Sequence, residues 1–180
     1  FHKALALYKD MHTTEHSDIA LTTYNIAYSW KSMGNHDVAL TYYNQSLATL
    51  RKMNKKSHNI IISNILSAIS DIYIGKKEFK DARILLMECL TLRIGKYGEK
   101  HKDSVSIMRN LVIVAMRLRC FDEARDICTQ VLAIQREIYG NKHEYVVDTL
   151  CTMADITRAL RLYDDAKSYY QQVISLLRDM

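Results

Sequence analysis

The chain has 180 residues, of which 48% are hydrophobic and 25% are charged, with five glycines and no proline. This composition excludes a disordered segment, and the scarcity of turn-forming residues argues against all-β and α/β domains. It predicts an all-α fold with short connections. The formal net charge of +5 permits an acidic partner, but the basic residues are dispersed, so we do not expect nucleic-acid binding.

The cysteines and the apolar runs indicate the compartment. The four cysteines form no CxxC pair, which argues against a zinc knuckle, a redox motif or a disulfide framework. We therefore expect a reducing, cytoplasmic location. No run of 18 apolar residues occurs, so we expect no membrane insertion. The chain begins in mid-pattern without Met, which indicates a fragment of a longer protein.

Three sets of residues recur along the chain at intervals of 42 or 43 residues. They are His16, His58, His101 and His143, then Ala39, Ala82, Ala124 and Ala166, then Leu5, Leu47, Leu90 and Leu132. Three markers in one register predict internal repeats. We predict one domain over 1–180, with a half repeat at 1–12 and repeats at 16–57, 58–100, 101–142 and 143–180.

Each repeat is predicted to contain two helices. The first follows the marker His, and in the first repeat Ile19, Ile26 and Trp30 have helical spacing. The second begins with acidic residues, which suit a helix N-terminus, and then the marker Ala. A small residue there lets two helices approach closely. Large residues four positions later are expected to fill the next layer of the core: Tyr43, Leu86, Cys128 and Tyr170.

The segment SWKSMGNHDVALTYYNQSL (29–47) resembles the tetratricopeptide repeat. The 42-residue period and the YGxKH loops at 97–101 and 139–143 resemble the repeats of kinesin light chain and nephrocystin-3-like proteins. The resemblance implies a right-handed superhelical solenoid of antiparallel helix pairs whose first helices line a concave surface. Two features depart from the family pattern: the proline after the second helix is absent, and Arg119 and Arg161 replace the turn glycine.

The repeated histidines are interpreted as loop or helix-capping residues. Equivalent positions in stacked repeats lie about 8–10 Å apart, whereas zinc needs ligands about 2 Å away, so they are not expected to share a metal. No GxSxG, HExxH or phosphate-binding glycine loop is present. We therefore expect no cofactor, no metal and no enzyme activity in these residues. A catalytic domain elsewhere in a parent protein, regulated by these repeats, remains an alternative.

The register of the marker Ala assigns candidate peptide-binding residues to the concave surface. They are Tyr24, Asn25, Tyr28, Lys31, Arg109, Asn110, Arg117, Thr152 and Arg158. The resemblance implies that Asn25 and Asn110 hold a peptide main chain, whereas Ala68 and Thr152 stand at this position in the other two repeats. An amide can both donate to and accept from a main chain.

We predict a protein–protein interaction module that binds a peptide segment, acidic and with an apolar anchor, in its concave groove. Arginines on this surface can bind carboxylates, and tyrosines can flank an anchor. The alternative is a structural or self-associating repeat segment of a larger scaffold or regulatory protein. The chain offers no polar capping helix, so self-association through uncapped repeat ends belongs to this alternative.

Overall fold

In the computed structural model, Lys3 and residues 17–180 are described, apart from the side chain of Asp179. Over these residues the chain forms α-helices, one 3₁₀ turn (Lys56–His58) and no strand, which confirms the all-α prediction. The helices are α1 (Ser17–Ser32), α2 (His36–Met53), α3 (Asn59–Gly75), α4 (Phe79–Tyr97), α5 (Lys102–Arg117), α6 (Phe121–Tyr139), α7 (Glu144–Ala159) and α8 (Tyr163–Asp179). Apart from Lys3, the predicted half repeat 1–12 lies outside the described residues, and so does His16.

The helices group into two compact units, residues 1–96 and 97–180. In the first unit α1 packs on α2, and α2 packs on α3. In the second unit α5 packs on α6, α6 on α7, and α7 on α8. Three-residue connections between packed neighbours make α1–α2, α5–α6 and α7–α8 antiparallel pairs, as the sequence predicts. These three helix pairs lie within the predicted repeats 16–57, 101–142 and 143–180.

The marker alanines are buried in all four repeats, at 0–4% exposure. The large residues four positions later follow the prediction in three repeats, where Tyr43, Leu86 and Cys128 are at most 1% exposed. The prediction is wrong for Tyr170, which is 37% exposed. This tyrosine lies on α8, and no described helix covers that side of α8.

The turn after each first helix has one backbone conformation. Its central residue has positive φ: Gly34 (79°), Lys77 (63°), Arg119 (61°) and Arg161 (64°). In each case two crossed hydrogen bonds close the helix end; for example, the amide of Arg119 donates to Met116 O and that of Cys120 to Ala115 O. This pattern is the Schellman motif, which favours glycine at the positive-φ position. In three repeats a residue with a long side chain therefore occupies a position whose backbone conformation favours glycine.

The YGxKH loops join the end of one repeat to the start of the next. In each loop the tyrosine ring stacks on the histidine ring, with centroids 4.5 Å apart in both Tyr97–His101 and Tyr139–His143. The glycine after the tyrosine takes a positive φ of 87° at Gly98 and 79° at Gly140. The repeated sequence is therefore a structural unit that turns the chain between repeats.

The histidines of these loops cap the following helices. Nδ1 of His101 accepts a hydrogen bond from the amide of Asp103, and Nδ1 of His143 accepts one from Tyr145, both at 3.2 Å. The predicted capping role is confirmed for these two. His58 differs, because its backbone is already helical and its buried Nδ1 has no hydrogen-bond partner. His58 is followed by α3, which has 17 residues and is one residue longer than α1, α5 and α7.

Candidate functional site

The candidate residues lie on the first helices of the helix pairs, four on α1, three on α5 and two on α7. Asn25, Tyr28, Arg117 and Arg158 are exposed, and the other five are half-buried. The residues on α1 belong to the first unit and those on α5 and α7 to the second. Each unit therefore carries its own set of candidate residues.

In the first unit the charge of Lys31 is used within the fold. Lys31 Nζ donates to Asp71 Oδ2 of α3 at 2.7 Å. This ion pair joins two first helices across 40 residues of sequence. Beside it, the Tyr24 ring lies 5.9 Å from the buried Tyr43 ring, and burial raises the pKa of the Tyr24 phenol. Tyr28, on the same helix, is 58% exposed.

In the second unit Arg109 is placed by two residues of α7. Its guanidinium carbon lies 5.5 Å from the centroid of the Tyr145 ring. Its Nη2 lies 3.7 Å from Asp148 Oδ2, which is beyond hydrogen-bonding distance. The guanidinium is thus held over an aromatic ring by a cation–π contact, while its N–H groups remain available to a second carboxylate.

The other two arginines of this surface differ in their freedom. Arg158 Nη2 donates to Asp155 Oδ1 at 2.8 Å, and the Tyr170 hydroxyl donates to the same oxygen at 2.8 Å. The bond to the Asp155 carboxylate raises the pKa of the Tyr170 phenol. Arg117 is exposed and has no ion pair with any residue that the structure describes. Arg117 and Arg109 are therefore the more available cations.

A small pocket of about 50 Å³ opens between α5, α6 and α7 beside Arg109. Arg109, Ile113 and Thr152 lie around it, and Val112, Cys128 and Val131 form its buried floor. Burial raises the pKa of the Cys128 thiol to about 12, so this floor is uncharged at neutral pH. The pocket is far smaller than a drug-sized ligand needs, and its lining suits part of one aliphatic side chain.

A second, wider pocket of about 330 Å³ also has Arg109 in its lining. Lys102, Arg109, Gln135, Tyr139 and Tyr145 line it. The repeat register indicates Arg109 but not Tyr139, the last residue of α6, or Tyr145, in the first turn of α7. Their side chains meet in three dimensions, with the two tyrosine rings 5.4 Å apart in an edge-to-face contact.

The described part of the chain contains no cluster of His, Cys, Asp and Glu that could hold a metal ion. It also contains no helix that is both long and apolar enough to cross a membrane.

Residues 103–179 match the family model of the tetratricopeptide repeat. The match covers helices α5 to α8, so the two helix pairs of the second unit are similar to tetratricopeptide repeats. Tetratricopeptide-repeat folds serve as protein–protein interaction modules, because stacked helix pairs present extended binding surfaces. A search of curated protein sequences finds no match.

Several solved structures share the fold over most of this chain, and the first of them is of tetratricopeptide-like repeats. The repeats of a Podosopora anserina protein described as a kinesin light chain superpose with a TM-score of 0.84 at 16% identity, covering 99% of this chain and 84% of that one. BtubC (BKLC) from P. vanneervenii gives 0.73 at 14% identity, over 91% and 64%. Apo RapI gives 0.74 at 16% identity, over 89% and 56%. The resemblance to kinesin-light-chain-like repeats is confirmed at the level of the fold.

Proposed function

We propose that this tetratricopeptide-repeat chain binds a peptide segment of a partner protein, and that the segment is acidic and carries an apolar anchor. The observation that supports this most is the small apolar pocket with Arg109 at its edge. An aliphatic side chain in the pocket would place neighbouring carboxylates beside the guanidinium. Arginine binds carboxylates through paired N–H groups, so the contact depends on geometry as well as on charge.

The remaining candidate residues have assigned roles in this proposal. Arg117 adds a second cation on α5, one helical turn beyond Ile113. Asn110 and Thr152, which occupy equivalent repeat positions, hydrogen-bond the peptide main chain. Arg158 and Lys31 contribute less, since each is hydrogen-bonded to a carboxylate of the fold. Tyr24, Asn25 and Tyr28 form a contact surface on the first unit.

The proposal extends to the setting of the chain. We place it in the cytoplasm, because its four cysteines are free and two of them, Cys89 and Cys128, are buried as apolar core residues. The predicted repeats at 16–57, 58–100, 101–142 and 143–180 are taken as one interaction domain.

The test is selection of a random twelve-residue peptide library on the purified chain and on the Arg109→Glu variant. We expect the unmodified chain to enrich peptides with Asp or Glu beside one aliphatic residue. Arg109→Glu should lose that enrichment. The matched control is Arg125→Glu on α6, which makes the same charge change at a residue whose partners, Asp122 and Asp126, lie on its own helix. Equal enrichment by the Arg109 and Arg125 variants would exclude the proposed site.

The alternative is a structural segment of a larger repeat scaffold that self-associates. The observation that favours it is the exposure of large apolar side chains on α8, including Ile174 at 49% and Leu177 at 59%. Sedimentation equilibrium over a hundredfold concentration range separates the two functions. A chain that dimerises and selects no peptides would favour the structural role.

A further inference from the structure

The wider pocket is lined by hydrogen-bond donors of α5 that have no acceptor among the described residues. Lys102 is exposed at the start of α5 and forms no ion pair there. Arg109 lies 3.7 Å from Asp148, which is beyond hydrogen-bonding distance. The hydroxyl of Ser106 donates to no described residue. One helix therefore brings two cations and a hydroxyl to this pocket.

A buried amide of α6 adds a fourth donor to the wider pocket. Gln135 is 1% exposed, and its Oε1 accepts a hydrogen bond from Thr149 of α7. Its Nε2 donates to no described residue, and this atom is not sealed inside the protein. Since Gln135 lines the wider pocket, the free N–H groups of its amide meet the space of that pocket. Buried polar groups are nearly always paired, so this amide indicates a ligand that supplies the acceptor.

The donors of the wider pocket suit a phosphate group better than a carboxylate. A phosphomonoester carries a charge of about −2 at neutral pH and has three acceptor oxygens, whereas a carboxylate has one charge and two oxygens. Lys102 and Arg109 supply two positive charges, and Ser106 and Gln135 supply neutral donors. Asp103, in the first turn of α5, is the acidic residue of this lining and leaves it with a positive balance. A phosphate therefore uses charges and donors that a carboxylate leaves unpaired.

The two pockets of the second unit share Arg109 and follow each other along the same three helices. Residues of α5 between 102 and 109 line the wider pocket, and those between 109 and 113 line the small one. The centres of these two sets are about six residues apart, which is about 9 Å along a helix. An extended peptide covers that distance in about three residues. One peptide is therefore long enough to occupy both pockets.

From these observations we propose that the wider pocket binds a phosphorylated side chain of the peptide, about three residues from the aliphatic residue in the small pocket. The inference rests on the proposed function, because it adds a second contact to the same peptide. The phosphate lies between Lys102 and Arg109 and accepts a hydrogen bond from Nε2 of Gln135. The rings of Tyr139 and Tyr145 form walls of the pocket beside it. The chain thus distinguishes the phosphorylated form of its partner from the unmodified form.

The test uses random peptide libraries whose fixed central residue is phosphoserine or phosphotyrosine, with serine and tyrosine libraries as controls. We expect the purified chain to enrich peptides from the phosphorylated libraries, with an aliphatic residue about three positions from the phosphate. Binding of individual enriched peptides is then measured by fluorescence anisotropy before and after phosphatase treatment. Removal of the phosphate should weaken binding roughly tenfold or more, because hydrogen bonds to a charged group are lost.

Charge changes in the pocket lining test where the phosphate binds. Lys102→Glu should abolish the preference for the phosphorylated form and keep the preference for an aliphatic residue. The matched control is Lys167→Glu on α8, which makes the same charge change at an exposed residue outside the pocket lining. Asp103→Asn removes the opposing carboxylate, so it should strengthen binding of the phosphorylated peptide more than that of its unmodified form.

The outcomes separate this inference from the proposed function. Equal enrichment from the phosphorylated and unmodified libraries would overturn the inference and leave the proposed function intact, whereas no enrichment from any library would overturn both. Equal loss of the phosphate preference in Lys102→Glu and Lys167→Glu would overturn the assignment to this pocket. Inorganic phosphate that binds as tightly as the phosphorylated peptides would also overturn it, because the pocket would then take a free anion.

Discussion

Tyr139 stacks on His143 with 4.5 Å between ring centroids, and the same histidine caps α7 through its Nδ1. The pair Tyr97 and His101 repeats this geometry at the start of α5. The tyrosine thus holds the imidazole in the orientation that capping requires. The repeated YGxKH loop joins successive repeats, and its histidine has a structural role.

Replacing the capping histidines should destabilise the chain. His101→Ala or His143→Ala removes an acceptor for a helix N-terminal amide, and we expect a loss of about 1 kcal/mol in the free energy of unfolding. His→Asn at the same position should recover most of it, because asparagine is a good N-cap residue. Urea denaturation measures the change. The control is His36→Ala, since His36 is the exposed first residue of α2 and Asn35 is the N-cap residue there. An equal loss at His36 would contradict the capping role.

Glycine at the turns that now hold arginine should stabilise the chain. Arg119 and Arg161 have φ of 61° and 64°, where a side chain crowds the backbone and glycine does not. We expect Arg119→Gly and Arg161→Gly each to raise the free energy of unfolding by about 0.5–1 kcal/mol, measured by urea denaturation.

The reverse change tests the same cause. Gly34 has φ of 79° and no atom within 4 Å of an added Cβ, so Gly34→Ala meets backbone strain without a clash. We expect it to lower the melting temperature in thermal denaturation. The opposite result would be an unchanged melting temperature in Gly34→Ala and a lower unfolding free energy in Arg119→Gly and Arg161→Gly. It would show that the arginine side chains make contacts that outweigh the backbone strain.

The sequence predicts the repeat and its core because these depend on local spacing. The marker alanines and the two capping histidines are of this kind, since each acts within its own helix pair or loop. The residue with positive φ in the turn is harder to predict from the sequence. In the second repeat Gly75 is the last residue of α3, and the positive φ is taken by Lys77 two residues later. A glycine is present two residues earlier in the sequence, but the register of the Schellman motif decides which residue adopts the positive φ.

The candidate site is less predictable because its contacts cross between repeats. Lys31 meets Asp71 across 40 residues of sequence, and Arg109 approaches Asp148 of the following repeat. Helical spacing places a cation on a surface but does not say which carboxylate the next helix brings beside it. The apolar pocket also needs Cys128 and Val131 of a second helix, whereas the prediction drew only on first helices.

The stability of the chain should fall at alkaline pH because of Cys128. Burial raises the pKa of this thiol to about 12, while an unfolded cysteine has a pKa of about 8.5. The unfolded state therefore loses the proton first, and the stabilisation present below about pH 8.5 is lost progressively as the pH rises towards 12. Between about pH 8 and 10 we expect the unfolding free energy to drop by about 1–2 kcal/mol more than in Cys128→Ala. Equal pH dependence of the two chains in urea denaturation would contradict the assignment.

The buried hydrogen bond between Thr149 and Gln135 should behave as a coupled pair. Thr149 Oγ1 donates to Gln135 Oε1 at 2.7 Å, and both side chains are at most 3% exposed. Thr149→Val keeps the shape but leaves the amide without its donor, so we expect a loss of about 1–3 kcal/mol. Adding Gln135→Leu should recover most of that loss, because α2 has Leu50 and α8 has Leu177 at this repeat position. A double-mutant cycle by urea denaturation measures the coupling. If the losses of unfolding free energy in Thr149→Val and Gln135→Leu add up to the loss in the double variant, the hydrogen bond contributes nothing beyond the packing of each side chain.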